Sequence, residues 1–179
     1  MKFKNNWNAN KPDQLTTILL TIYLAALLWI VVFKLGVRFS YMASRSVNMI
    51  PFSKPSIING SISYSEMIFN AVIFVPLGIY AGALFRQWTF GKSIFVFFFI
   101  SLLCEALQFT LRVGASDITD IITNTSGGTL GLMLYKVIEK ILHNNKAQKF
   151  INIIASIGTI ITILLLLLLK LNMLPIRYQ

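Results

Sequence analysis

Residues 93–137 read SIFVFFFISLLCEALQFTLRVGASDITDIITNTSGGTLGLMLYKV, and this stretch decides the fold. It contains two largely apolar segments, 93–111 and 118–137, which are joined by a short polar turn. Because a helix of about 20 apolar residues crosses the ~30 Å of hydrocarbon in a bilayer, each segment is long enough to span it. The turn is short, so the two helices should pack side by side as an antiparallel hairpin.

The composition of the whole chain agrees with a membrane location. Of its 179 residues, 56% are hydrophobic and 12% are charged, and the mean hydropathy is +0.72. A water-soluble domain of this size could hardly bury so much apolar surface. The net charge of +10 comes from basic residues that lie mostly between apolar runs, where anionic lipid headgroups attract them, so we expect the lipid bilayer and no nucleic acid as partner. The single cysteine, Cys104, excludes an intrachain disulfide.

Three further apolar segments, about 15–33, 66–85 and 151–171, bring the predicted number of spans to about five. The sequence therefore predicts an all-α, polytopic transmembrane helical bundle that forms one membrane domain over residues 1–179. The longest loop follows the first span and carries the turn signals Pro51, Pro55 and Asn59-Gly60. The fifth span is almost entirely Ile and Leu, which favours a peripheral, lipid-facing helix with no chemistry.

The Lys and Arg residues that flank the spans give a weak bias in orientation. Positive flanks tend to stay in the cytoplasm, and the bias favours a multi-pass protein of the cell membrane with a cytoplasmic N-terminus. The long loop and the turn between the third and fourth spans would then share the outer face.

Polar residues inside the membrane helices are the most informative feature. They form two stripes of i, i+3, i+7 spacing, namely Glu105, Gln108 and Arg112 at the end of the third span and Asp117, Asp120 and Asn124 at the start of the fourth. Burying one ionised side chain near the bilayer centre costs on the order of 2.5–3.5 kcal/mol or more, so these groups should pair with one another or with water. We expect Arg112 to pair with Asp117 or Asp120, and Asn70 of the second span to join the pocket.

Helix packing is predicted from a proline and five glycines. Pro76 lies inside the second span and should kink it, since proline removes a backbone donor. Small residues four apart allow close backbone approach. The pairs Gly78–Gly82 and Gly127–Gly131, with Gly128, therefore predict contact between the second and fourth spans.

The polar stripes allow three interpretations. One is a structural network that only fixes how the helices pack. A second, which we favour, is a hydrated ligand-binding pocket that opens to the outer face. In the third, Glu105, Asp117 and Asp120 bind Mg²⁺ or Ca²⁺, but their spacing matches no recognised metal motif, so we expect no metal and no cofactor.

Several motifs in the middle of the chain, within residues 45–135, resemble those of the VanZ-like family of small bacterial membrane proteins. They are Met49-Ile50-Pro51-Phe52, Asn70 with Phe74-Val75-Pro76-Leu77-Gly78, Glu105-x-x-Gln108, and Arg112, Asp117, Asp120, Asn124 and Gly127-Gly128. The resemblance implies a role at the outer face of a bacterial membrane, which lowers the access or action of lipoglycopeptide antibiotics such as teicoplanin. It implies no known reaction, and a housekeeping role in the cell envelope is equally compatible.

Three functions follow as hypotheses. The first is a binding or resistance factor, whose pocket engages a lipid-linked cell-wall component or a lipoglycopeptide. The second is an enzyme acting on a lipid or glycolipid headgroup, with Glu105 or Asp120 as general acid or base and Arg112 holding a phosphate or carboxylate. The third is a scaffold for a partner membrane protein. The sequence does not specify an oligomeric state.

Overall fold

The computed structural model describes residues 13–33, 47–52, 56–58, 61–111 and 116–170. This part of the chain is predominantly helical, which confirms the all-α prediction. Its five helices are α1 (Gln14–Phe33), α2 (Ser65–Leu84), α3 (Phe90–Leu111), α4 (Ile118–Leu142) and α5 (Asn144–Lys170).

Three of these helices, α1, α2 and α3, are long and apolar enough to cross a membrane. Their mean hydropathies over Gln14–Val32, Ser65–Leu84 and Phe90–Leu111 are 2.4, 2.0 and 2.1, which fits a protein embedded in a lipid bilayer. The other two helices, α4 and α5, are not among these three. Crossing of the membrane by α4 and α5, and hence a total of five spans, stays a prediction.

The most extensive helix–helix contact of the described residues joins α2 and α4. A Cβ atom on Gly127 would collide with the backbone carbonyl of Ala71, and one on Gly131 would collide with that of Val75. Since only a hydrogen occupies these positions, the two backbones approach directly. Pro76 lies within this contact region of α2, and the helix continues through it from Ser65 to Leu84.

Apolar side chains from four helices fill the centre of the bundle. Phe74 and Phe97 are fully buried there together with Cys104, and Leu27 and Leu132 complete the cluster from α1 and α4. The side chain of Phe97 lies against Gly128, so α3 also packs onto the glycine-rich face of α4.

Two short β-ladders lie at the end of the bundle where α2 and α4 begin. β1 (Val47–Asn48) pairs in parallel with β4 (Ser116–Asp117), and β2 (Ser56–Ile58) pairs antiparallel with β3 (Ser61–Ser63). The β1–β4 pair attaches the long loop to the residues immediately before α4. The Asn59-Gly60 turn signal lies outside the described residues.

At the opposite end of the bundle, hydrogen bonds join α1 to α5. The Thr16 hydroxyl donates to Asn152 Oδ1 at 2.7 Å, and Asn152 Nδ2 donates to Asp13 Oδ2 at 2.7 Å. Gln148 Nε2 donates to Thr16 Oγ1 at 2.9 Å and Arg86 donates to Gln148 Oε1 at 2.9 Å. We call Asp13, Thr16, Gln148 and Asn152 the α1–α5 network. The prediction that the fifth helix only faces lipid is therefore wrong for its first turns.

Candidate functional site

A polar cluster lies where α3 ends and α4 begins, and it consists of Asn48, Glu105, Asp117 and Thr119. The backbone N–H of Asp117 donates to Glu105 Oε2 at 2.9 Å, and Asn48 Nδ2 donates to Asp117 Oδ2 at 2.8 Å. Glu105 is 1% exposed and Asn48 is 9% exposed. One carboxylate of α3, the cap of α4 and the long loop are thus joined at a single point.

Asp117 defines the start of α4 as its N-cap residue. Its backbone is extended, with φ −124° and ψ 126°, and its Oδ1 accepts the N–H of Thr119 at 2.8 Å. This side chain satisfies a backbone donor that has no partner within the helix, and its negative charge is favourable at a helix N-terminus. The same carboxylate therefore caps α4 and receives the amide of Asn48.

The loop residues 47–52 are fixed against the start of α4. Asn48 Oδ1 accepts the N–H of Ile50 at 3.3 Å, and the N–H of Phe52 donates to Thr119 Oγ1 at 3.0 Å. Phe52 has a φ of 58°, which is unusual for a bulky residue and is retained only where surrounding contacts determine it. The side chains of Met49, Ile50 and Phe52 remain 73%, 67% and 56% exposed, so this polar end presents an apolar rim.

Two amide side chains lie below the polar cluster, inside the bundle. Gln108 Nε2 donates to the carbonyl of Val31 at 2.8 Å, and Asn124 Nδ2 donates to Ser101 Oγ at 3.0 Å. Gln108 and Asn124 are 1% and 0% exposed. Their oxygens, Gln108 Oε1 and Asn124 Oδ1, have no hydrogen-bond partner within the described part of the chain. Since buried polar atoms are normally paired, these two acceptors mark the interior as able to receive a donor.

The residues predicted for the site divide into three groups. Glu105, Gln108, Asp120 and Asn124 are buried and Asp117 is partly buried, all near the junction of α3 and α4. Asn70 is partly buried on α2, and no hydrogen bond within the described residues joins it to the polar cluster. Arg112 lies outside the described residues, so its pairing with Asp117 or Asp120 stays a prediction.

The part of the chain that contains the site is also the part that matches known proteins. A family model described as VanZ/LLP1 matches residues 20–139. Over 158 residues the chain is 37% identical to Protein VanZ of Enterococcus faecium, an alignment that covers 86% of this chain and 94% of that protein. The chain belongs to the VanZ family. The resemblance that the motifs predicted is thereby confirmed, and the matched residues contain the complete polar cluster. No solved structure matches this VanZ-family chain.

Sequence reasoning missed two members of the polar cluster in this VanZ-family chain, Asn48 and Thr119. Asn48 lies directly before Met49-Ile50-Pro51-Phe52, and an Asn ahead of a proline turn commonly accepts the N–H of the residue two positions later. That local signal could have identified Asn48 as a turn residue. Its second bond, to Asp117, joins residues 69 positions apart and leaves no trace in local spacing.

The site offers mainly hydrogen-bond acceptors, namely carboxylate and amide oxygens. Carboxylates that are ionised only accept hydrogen bonds, and the two buried amide oxygens do the same. Within the described residues, no three His, Cys, Asp or Glu side chains come close enough to hold a metal ion, so the divalent-cation interpretation finds no support there. The groups that would complement this site are hydroxyls, amide N–H groups and ammonium groups.

Proposed function

We propose that this VanZ-family protein is a glycopeptide-resistance or cell-envelope factor of the bacterial membrane, of the kind that protects against teicoplanin. It acts at the outer face through a polar intramembrane pocket, built from the polar cluster and the buried amides of Gln108 and Asn124. The observation that carries the proposal is the junction at Asp117, because one residue links the loop, α3 and α4. The 37% identity to Protein VanZ supports the choice of resistance.

The ligand class follows from the acceptor character of the pocket. A lipid-linked cell-wall component or a lipoglycopeptide offers sugar hydroxyls and amide N–H groups, which complement carboxylate and amide oxygens. Such ligands also carry an apolar chain that partitions into the bilayer. The pocket therefore holds the polar part of an amphiphile at the membrane surface. Arg112, which directly follows α3 in the sequence, would supply a positive charge for a phosphate or carboxylate.

The outer-face location follows from the distribution of basic residues. The opposite end of the bundle carries six described Lys and Arg residues, namely Arg86, Lys92, Lys136, Lys140, Lys146 and Lys149. Positive flanks favour the cytoplasmic side, so this end would lie inside and the polar cluster outside. Cell-wall precursors and glycopeptides meet at that outer surface.

The test is expression of the chain in a sensitive Gram-positive host, followed by inhibitory concentrations of teicoplanin and vancomycin. We expect the wild-type chain to raise the teicoplanin value and Glu105→Gln to return it towards the empty-vector value. Glu139→Gln is the control, since Glu139 lies at the opposite end of α4, 3.7 Å from Arg86. Unchanged inhibitory concentrations for the inserted wild-type protein would remove the resistance proposal.

A second candidate is a membrane enzyme that acts on a lipid-linked or glycolipid headgroup. The observation that favours it is the burial of Glu105 and Asp120, which are 1% and 7% exposed, because burial and nearby charges tune carboxyls for proton transfer. Glu105→Gln and Asp120→Asn separate the candidates. An enzyme would retain ligand binding and lose turnover, whereas a binding factor would lose binding itself.

A further inference from the structure

A groove runs along the exposed face of α3 and α4, beside the polar cluster. Its volume is about 790 Å³, and its walls include Phe98 and Leu102 of α3 and the α4 face from Ile118 to Met133. We call it the α3–α4 groove. Its walls face outward from the bundle, since Phe98 and Leu102 are 42% and 40% exposed and Met133 is 47% exposed. In a bilayer, such walls meet acyl chains.

The floor of the groove is apolar despite three hydroxyl residues. Thr125 and Ser126 donate their hydroxyls to the carbonyls of Ile121 and Ile122 at 2.7 and 2.8 Å, and Thr129 donates to the carbonyl of Thr125 at 2.8 Å. Because each donor is already used within α4, these residues present mainly carbon to the groove. This lining suits a hydrocarbon chain and not a path for water or ions.

The groove is long enough to hold an acyl chain over the full depth of one leaflet. The 15 steps from Ile118 to Met133 correspond to about 22 Å of helix at 1.5 Å per residue, whereas a leaflet is about half of the ~30 Å hydrocarbon core. One extended acyl chain therefore fits along it. At the end nearest the polar cluster the groove is lined by Asn48 and Ser116. A lipid whose acyl chain lies in the groove therefore places its headgroup beside Asp117.

We propose that the α3–α4 groove holds one acyl chain of a bilayer lipid, and that the headgroup of this lipid donates hydrogen bonds at the Asn48 end. The headgroup part rests on the proposed function, which uses the same acceptors. A lipid with an ammonium headgroup complements the carboxylate of Asp117, whereas a headgroup without N–H or O–H donors cannot make those bonds. The part of the proposal that concerns the acyl chain rests on the groove alone.

The experiment uses the full chain in liposomes that contain a phosphatidylethanolamine with a photoactivatable diazirine on its acyl chain. After illumination, the labelled residues are mapped by mass spectrometry. We expect labelling of residues 118–133 to exceed that of more exposed positions such as Ile18 of α1 and Ile160 of α5, which are 57% and 65% exposed. Labelling that follows exposure alone would overturn the proposal.

Two adjacent residues provide the matched variants. Met133 lines the groove and Leu134 does not, yet their exposures are 47% and 50%. Met133→Trp should reduce the excess labelling because the indole occupies the end of the groove that Met133 lines, and Leu134→Trp should leave it unchanged. If the two substitutions change the labelling equally, the groove is not a defined binding site for an acyl chain.

The headgroup is tested with a phosphatidylcholine that carries the same diazirine chain and lacks N–H donors. The phosphatidylethanolamine probe should label the groove more strongly, and Asn48→Ala should reduce that difference. Equal labelling by both lipids overturns the headgroup part, and displacement by teicoplanin but not by excess phospholipid overturns the lipid assignment. If groove labelling fails while Glu105→Gln still abolishes resistance, the proposed function stands without this inference. If the groove is labelled while Glu105→Gln leaves resistance unchanged, the lipid site stands without the proposed function.

Discussion

The backbone N–H of Asp117 donates to the carboxylate of Glu105 across the turn between α3 and α4, with 2.9 Å between the nitrogen and Oε2. Glu105 is 1% exposed, so this bond lies where water does not replace it easily. A hydrogen bond to a charged group contributes more to stability than one between neutral groups, about 1.5–3 kcal/mol. The two helices that carry the polar residues are therefore held at a fixed distance by a member of the site itself.

Removing this bond should destabilise the junction. Glu105→Ala leaves the Asp117 N–H without its acceptor, and we expect a loss of about 1–3 kcal/mol in the free energy of unfolding. Thermal unfolding in a mild detergent measures it. Glu139→Gln is the control, because it removes the charge that pairs with Arg86 at 3.7 Å but keeps an oxygen that can accept the hydroxyl of Tyr135. Equal losses in the two variants would argue against a special role for Glu105.

The link between the loop and α4 can be tested at Asn48. Asn48→Asp keeps the size of the side chain but replaces the donor to Asp117 Oδ2 with an oxygen that repels it. We expect Asn48→Asp to release residues 47–52 more than Asn48→Ala does, and both to do so more than the wild type. Amide hydrogen exchange at Ile50 and Phe52 reports the release. Faster exchange in the alanine variant than in the aspartate variant would contradict the assigned contact.

Close packing of α2 and α4 predicts opposite outcomes for two glycines. Gly127→Ala places a methyl group against the carbonyl of Ala71, so the helices must separate and the variant should unfold at a lower temperature. A Cβ at Gly158 meets nothing within 4 Å, and Gly158→Ala should be neutral or stabilising by up to about 1 kcal/mol. Similar unfolding temperatures for both variants would show that α2 and α4 are not in backbone contact.

The α1–α5 network should hold the first turns of α5 in place. Asn152→Leu removes both the bond from Thr16 and the bond to Asp13, and it leaves the buried Thr16 hydroxyl without its acceptor. We expect faster proteolysis between α4 and α5. Thr159→Ala serves as the comparison, since Thr159 donates only to the carbonyl of Ala155 in its own helix. Resistance to proteolysis equal to that of the wild type would mean that α5 is held by other contacts.

Orientation in the membrane can be read with single cysteines. The native Cys104 is fully buried and should stay silent towards a membrane-impermeant maleimide. Met49→Cys, at an exposed loop position, should react in intact cells, whereas Lys146→Cys should react only after the cells are opened. Labelling of Lys146→Cys but not Met49→Cys in intact cells would contradict the proposed orientation and place the polar cluster inside.

Segment length and apolar content were sufficient to predict the helices. The i, i+3, i+7 spacing was sufficient to predict that Glu105 and Gln108 share a buried face of α3 and that Asp120 and Asn124 share a buried face of α4. Partners across the fold were not predictable in this way. Asn48 meets Asp117 across 69 positions, and Thr16 meets Asn152 across 136, so neither contact shows in local periodicity. The long apolar run of α5 led to the prediction of a lipid-facing helix. Gln148 and Asn152, which bond to α1 from the first turns of α5, were therefore not predicted as contacts.

The central claim is that the polar cluster acts as one unit in resistance. A double-mutant cycle with Asn48→Ala and Glu105→Gln tests it most directly, with inhibitory concentrations of teicoplanin measured at matched protein levels in the membrane. If both side chains act through Asp117, the double variant should be no more sensitive than the more sensitive single variant. Fully additive effects, or wild-type resistance in both single variants, would contradict the claim.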